Sequence, residues 1–104
     1  MAFDEVLGDR VRELCGLPEK RMFGGLAFLL DGNMAVGVIG DDLIVRLSRE
    51  EHATALDEPG ARPFDMTGRP MAGWLVVAGE TLDDDVLASW VRRGVAFAET
   101  LPPK

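Results

Sequence analysis

The apolar positions near the start of the chain follow a helical period. They form one stripe, and charged residues fill the positions between them, which is typical of an amphipathic helix packed on a core. Gly16 and Pro18 follow the stripe and end this helix. The stripe consists of Phe3, Val6, Leu7, Val11 and Leu14.

The middle of the chain carries short apolar runs separated by turn residues, which predicts antiparallel strands joined by tight turns. The first strand, residues 21–30, is broken only by Gly24-Gly25, a pair that indicates a bulge or a close backbone approach. Residues 34–39 and 43–47 are the next two strands. The turns between them are Asp31-Gly32-Asn33 and Gly40-Asp41-Asp42.

The second half of the chain begins with a capping box. Ser48, with Glu51 three residues later, predicts a short helix from residue 49 to about residue 56. Two more strands are predicted over residues 62–66 and 71–77.

The last helix has a helix-start signal of its own. Thr81 is its predicted N-cap, with Asp84 at the capping-box position, and the acidic residues 83–85 complement the helix dipole. Its apolar face includes Trp90, which we expect to be buried.

These elements follow the order α-β-β-β-α-β-β-α. The order predicts an α+β fold with a five-stranded, mostly antiparallel sheet and helices packed against it. The 104 residues fit one domain, residues 1–104, and contain no linker, low-complexity tract or repeat.

The net charge of the chain limits the classes of partner that it is expected to bind. A net charge of −7 repels phosphate backbones and anionic lipid surfaces, so direct nucleic-acid binding and membrane binding are disfavoured. Cys15 is the single cysteine, which fits a reducing compartment. The first fifteen residues are too charged for a signal peptide, and no apolar run is long enough to span a bilayer. We therefore expect a cytoplasmic protein.

The sequence contains few candidate residues for catalysis or metal binding. Cys15, at the end of the first helix, is interpreted as a small buried hydrophobe, because the dipole there disfavours a thiolate. His52 falls on a short charged helix that we expect to be exposed. One cysteine and one histidine cannot form a zinc cage, and consecutive carboxylates at 83–85 point about 100° apart on a helix. We predict no catalytic residue, no cofactor and no metal site.

One group of residues is a candidate surface for a ligand or a partner. If the strands align as expected, three arginines approach one another beside the glycine pair, which would create a small anion site. Solvated surface charge is the alternative interpretation. The candidate surface comprises Arg21, Phe23, Gly24, Gly25, Arg46 and Arg69.

The order of several short motifs resembles the N-terminal domain of the TfoX/Sxy family, over nearly the whole chain. The first motifs are followed by Phe64, Met66, Met71 and Trp74, and the resemblance ends at Leu87-Ala88-Ser89-Trp90-Val91. The first motifs are Lys20-Arg21-Met22-Phe23-Gly24-Gly25, Asp31-Gly32 and Leu43-Ile44-Val45-Arg46.

This resemblance implies an α+β fold of the secretion-chaperone-like type, a tendency to form homodimers and no catalytic residues to carry over. The best-known members regulate natural competence and carry a second, C-terminal domain, which we expect to be absent from this stand-alone chain.

Three functions follow in order. The first is a non-enzymatic regulatory or protein-interaction module with an unknown protein partner, and a homodimer is expected because a meander leaves edge strands that a second copy can cover. The second is a domain that binds a small anionic ligand, or an enzyme, using the region of Phe23-Gly24-Gly25 and the nearby arginines. Direct DNA binding is third.

Overall fold

The polypeptide folds into three helices packed on an antiparallel sheet, in a computed structural model that describes residues 3–22, 24–64 and 73–103. Within these ranges the sheet has six strands, in the spatial order β1-β2-β3-β4-β6-β5, and it does not close into a barrel. The elements are α1 (Glu5–Cys15), β1 (Glu19–Met22), β2 (Gly25–Leu30), β3 (Asn33–Ile39), β4 (Asp42–Arg46), α2 (Arg49–Ala55), β5 (Ala61–Pro63), β6 (Trp74–Val77) and α3 (Asp84–Glu99). The predicted α+β class is confirmed.

The strand count differs from the predicted five because the glycine pair makes a turn. Met22 pairs with Gly25, so the run expected to be one strand folds back on itself as the β1–β2 hairpin. Gly24 has a φ of 76° in this turn, a backbone conformation that glycine adopts without a steric penalty. The sheet consequently gains an edge strand, β1.

The first helix ends where predicted, begins at Glu5, after Phe3 of the predicted stripe, and has a narrower buried face than the stripe indicates. Asp4 caps it by accepting hydrogen bonds from two backbone N–H groups, and Gly16 ends it with a φ of 62°. Leu7 and Val11 are buried as expected. Two members of the apolar stripe are exposed instead, Val6 at 68% and Leu14 at 47%.

The second helix begins as predicted, and the third begins two residues later than predicted. Ser48 accepts a hydrogen bond from the backbone N–H of Glu51 at 3.2 Å, as in a capping box. The N-cap of α3 is Asp83, which accepts from the N–H of Val86 at 2.9 Å. Thr81 instead ends a short 3₁₀ turn, and its hydroxyl donates to the carbonyl of Ala78 at 2.7 Å.

The sheet buries apolar side chains on both faces. The main core lies on the face that α1 and α3 cover, and Trp90 of α3 is only 2% exposed there, as predicted. Strand β6 is an interior strand between β4 and β5. A second cluster lies on the opposite face and comprises Ala27, Met34, Ile44, Phe64 and Val76.

Candidate binding surfaces

Arg21 lies on the edge strand β1 and covers an aromatic ring. Its guanidinium carbon is 5.3 Å from the centroid of the Phe3 ring, within the range of a cation–π contact. Phe3 is itself fixed by a β-bridge to Gly40. The cleft beside Arg21 has a volume of about 210 Å³ and is lined by acidic and basic side chains together, which include Asp9, Arg12, Glu19 and Lys20.

The charges in this cleft neutralise one another. Arg12 donates hydrogen bonds to Asp9 and to Glu19, and one of its nitrogens lies 2.6 Å from Oε1 of Glu19. The hydrogen bonds from Arg12 hold the pKa of Glu19 below its ordinary value, and those with Glu19 and Asp9 raise the pKa of Arg12. Three carboxylates and three cations line this cleft among the described residues, so its balanced charge offers little attraction to an added anion.

Arg46 lies at the end of β4 between two aromatic rings. Its guanidinium carbon is 5.0 Å from the Trp74 ring centroid and 5.6 Å from the Phe97 ring centroid. Trp74 reaches it as the direct register partner on β6, whereas Phe97 reaches it from α3. The cleft around Arg46 has a volume of about 350 Å³, and Ser48, Arg49, Glu50 and Gly73 also line it. We name it the Arg46 cleft.

The structure does not bring Arg21 and Arg46 together. Strands β2 and β3 separate β1 from β4, which places the two strands about 14 Å apart at the usual spacing. Arg21 pairs with Leu26, on the face that α1 and α3 cover, whereas Arg46 pairs with Trp74, which packs with the cluster on the other face. The extra strand made by the glycine turn moves Arg21 outward and prevents the expected approach.

The other members of the candidate surface either lie beside Arg21 or fall outside the described residues. Gly24 and Gly25 border a small cleft that Arg21 also lines. Phe23 and Arg69 lie outside the described residues. The candidate surface predicted from the sequence is therefore represented here by two separate arginine–aromatic contacts.

The single cysteine and the single histidine of the chain lie in different parts of the fold. Cys15 is half-buried at the end of α1, and its burial raises the pKa of the thiol. His52 is half-buried as well, contrary to the exposed position expected, because its Nε2 atom lies 3.0 Å from the carbonyl oxygen of Trp74. This contact ties α2 to β6.

The carboxylates serve capping and ion pairing. Asp83 caps α3, and Asp84 pairs with Arg10 of α1 at 3.2 Å. Asp42 pairs with Arg62 at 2.7 Å and also accepts a hydrogen bond from the backbone of Gly79. Within the described ranges, no three His, Cys, Asp or Glu side chains gather closely enough to hold a metal ion.

A surface that the sequence reasoning missed runs along the seam between α1 and α3. The exposed side chain of Leu14 stands at a groove of about 360 Å³, with Arg92 and Glu99 among its charged residues. The sequence contains one signal for this surface, which is that Ala88 and Ala96 of α3 occupy positions where polar residues are otherwise expected. We name this surface the α1–α3 groove, and its apolar lining consists of Leu14, Cys15, Ala88, Val91, Val95 and Ala96.

The two edges of the sheet are poorly suited to further pairing. All four residues of β1 are exposed, and three of them are charged. The opposite edge strand, β5, has only three residues and ends in Pro63, which has no N–H to donate. Charge, short length and proline are devices that protect sheet edges from association.

Comparison with known proteins identifies the family. The family model of the TfoX N-terminal domain matches residues 9–98, nearly the whole chain. The chain belongs to this family. No curated protein and no solved structure matches it.

Membership confirms the resemblance inferred from the motifs, from Lys20-Arg21 to the helix around Trp90. The TfoX N-terminal domain family supports a regulatory-domain-like interpretation and is not known as a family of enzymes. In the part of the chain described here, no helix has the length and apolarity needed to cross a bilayer.

Proposed function

We propose that this chain is a non-enzymatic protein-interaction module of regulatory type and that its interaction surface is the α1–α3 groove. The observation that carries the proposal is Leu14, which is 47% exposed beside an apolar groove although it belongs to the apolar stripe of its helix. Removing apolar surface from water contributes roughly 25 cal/mol per Å², so a partner that covers this groove gains binding energy.

The partner we propose for the groove is a second copy of the chain. Arg92 and Glu99 are exposed on α3, two helical turns apart, and neither has an ion-pair partner among the described residues. Two antiparallel α3 helices related by a two-fold axis near Val95 and Ala96 place Arg92 of each copy opposite Glu99 of the other. The small side chain of Ala96 permits a close approach at the crossing point.

This arrangement is preferred to pairing through the sheet edges, which is the mode of self-association expected from the sequence. Two antiparallel β1 strands in their central registers place Lys20 opposite Lys20 or Arg21 of the other copy. Like charges directly opposite each other destabilise a strand pair. The groove offers opposite charges at the corresponding positions.

Charge reversal tests the proposal. Sedimentation velocity should show a dimer for the wild-type chain, and Arg92→Glu and Glu99→Arg should each be monomeric because each places like charges in contact. An equimolar mixture of the two variants should dimerise again, since both contacts then join opposite charges. Lys20→Glu is the matched control, because it reverses an exposed cation on β1 and should leave the groove dimer intact.

Three results would contradict the proposal. One is a wild-type chain that stays monomeric at about 1 mM, a concentration at which even a dimer of millimolar Kd is detectable. Another is a mixture of the two variants that remains monomeric. The third is loss of the dimer in Lys20→Glu with both α3 variants dimeric, which would assign self-association to the sheet edge.

A further inference from the structure

We propose that the Arg46 cleft is a binding site for the phosphate group of a small phosphorylated molecule. The site consists of two arginines and two aromatic rings, and it is independent of the α1–α3 groove. Its four residues are Arg46, Arg49, Trp74 and Phe97.

The first argument is the state of the Arg46 guanidinium. Two rings contact it at 5.0 and 5.6 Å, so it is held without a carboxylate partner among the described residues. Cation–π contacts engage the face of the guanidinium, whereas its five N–H donors lie in the plane. A half-buried, oriented guanidinium whose donors are not used by any described side chain matches the geometry of a phosphate or carboxylate group.

The second argument is the local charge. Arg49, in the first turn of α2, lines the same cleft and adds a second cation, and Glu50 is the single carboxylate among the described residues that line it. The described part of the lining therefore carries a positive charge, in a chain whose net charge is −7. Arg21 has no such setting, because its cleft already contains Asp9 and Glu19.

The ligand class follows from the two guanidinium groups, each of which can donate hydrogen bonds to the same anion. A phosphate monoester carries a charge of about −1.5 to −2 at neutral pH, which two guanidinium groups can match, whereas a carboxylate carries only one. A volume of about 350 Å³ lies within the range of small-molecule sites, so it admits a phosphate together with a small organic part. The faces of Trp74 and Phe97 provide an apolar wall for that organic part.

Titration of the purified chain with inorganic phosphate, followed by ³¹P NMR and calorimetry at constant ionic strength, tests the site. We expect saturable binding, tighter binding of phenyl phosphate because of its ring, and weaker binding of acetate. Arg46→Gln should weaken phosphate binding about tenfold or more, the loss of one charge-assisted contact. Arg49→Gln should weaken it less, and Glu50→Gln should strengthen it.

Arg21→Gln is the matched control. It removes the same charge and the same kind of arginine–aromatic contact at the other end of the sheet, and it should bind phosphate as the wild type does. Arg49 and Glu50 are exposed, so their variants remain informative if Arg46→Gln fails to fold. The proposal is overturned if the wild type shows no saturable binding, or if Arg49→Gln and Glu50→Gln both leave the affinity unchanged.

Discussion

Gly94 of α3 lies directly against the carbonyl oxygen of Ala35 in β3. A Cβ atom at Gly94 would lie 2.6 Å from that oxygen and 2.7 Å from a methyl group of Val36. Ala35 is the extra residue of β3 where the register with β2 shifts, between the pairs Phe28–Val36 and Leu29–Met34. The absence of a side chain at Gly94 lets the backbone of α3 lie directly against β3 at this point.

Alanine substitutions at two helical glycines should therefore have opposite effects. Alanine normally stabilises a helix interior by about 0.5–1 kcal/mol relative to glycine. Gly94→Ala should nevertheless lower the free energy of unfolding by about 1–3 kcal/mol, because backbone atoms block the added methyl group. Gly8→Ala in α1 should raise it by about 0.5–1 kcal/mol, since the nearest atoms there lie 3.5 Å from the added Cβ.

Urea unfolding of both variants beside the wild type checks the pair. Equal or higher stability of Gly94→Ala would show that α3 can move away from the sheet at no cost.

Truncation of Trp90 should cost far more than truncation of an exposed apolar residue. The Trp90 ring is 2% exposed, packs in the main core and is covered by the guanidinium of Arg93 at 4.3 Å. Trp90→Ala should lower the free energy of unfolding by about 3–5 kcal/mol. Val6→Ala, at a position 68% exposed, is the control and should change it by less than about 0.5 kcal/mol. A melting temperature of Trp90→Ala equal to that of the wild type would refute the core assignment.

Local signals in the sequence predicted most of the elements. The capping box at Ser48, the turn at Asp31-Gly32 and the end of α1 at Gly16 depend on residues close in the chain, and each is confirmed. The pair Gly24-Gly25 is different, because a glycine with positive φ serves a bulge and a hairpin turn equally well. Only the pairing of the strands decides between them.

The candidate site depended on information that lies far apart in the sequence. Whether Arg21 meets Arg46 is decided by the order of the strands and by the face on which each side chain falls. One additional strand changes the strand order, and a register shift of one residue moves a side chain to the opposite face of the sheet. The exposure of Leu14 was equally hidden, since a helical stripe shows which residues share a side and not how much of that side a neighbour covers.

The thiol of Cys15 should react slowly in the native chain. Burial raises its pKa above the ordinary value, so the reactive thiolate is scarce at neutral pH. Iodoacetamide should therefore alkylate Cys15 more slowly in the native chain than in the urea-unfolded chain, and the native rate should reach its midpoint at a higher pH. Rapid native alkylation at neutral pH would contradict the burial.

The same shift predicts how stability changes with alkali. The pKa of Cys15 is higher in the folded chain than in the unfolded chain. The thiol therefore makes its full contribution to the free energy of unfolding below the unfolded pKa of about 8.5, and this contribution is lost as pH rises through the folded value. Cys15→Ala should remove this part of the alkaline loss. An unfolding free energy that depends on alkaline pH identically in both chains would show that the thiol does not contribute.

The ion pair of Arg12 and Glu19 should make the free energy of unfolding depend on pH in the acid range. Hydrogen bonds from Arg12 depress the pKa of Glu19, so the contribution of this carboxylate is complete above the unfolded pKa of about 4.3 and is lost as pH falls through the folded value. In Arg12→Gln, the Glu19 pKa should rise toward its ordinary value, which a ¹³C NMR titration of the side-chain carboxyl measures. Both residues are near the surface, so high salt should reduce the difference between the two chains. Arg62→Gln is the control, since Arg62 pairs with Asp42, and a Glu19 pKa that responds equally to both substitutions would mean that general charge rather than the Arg12 contact sets it.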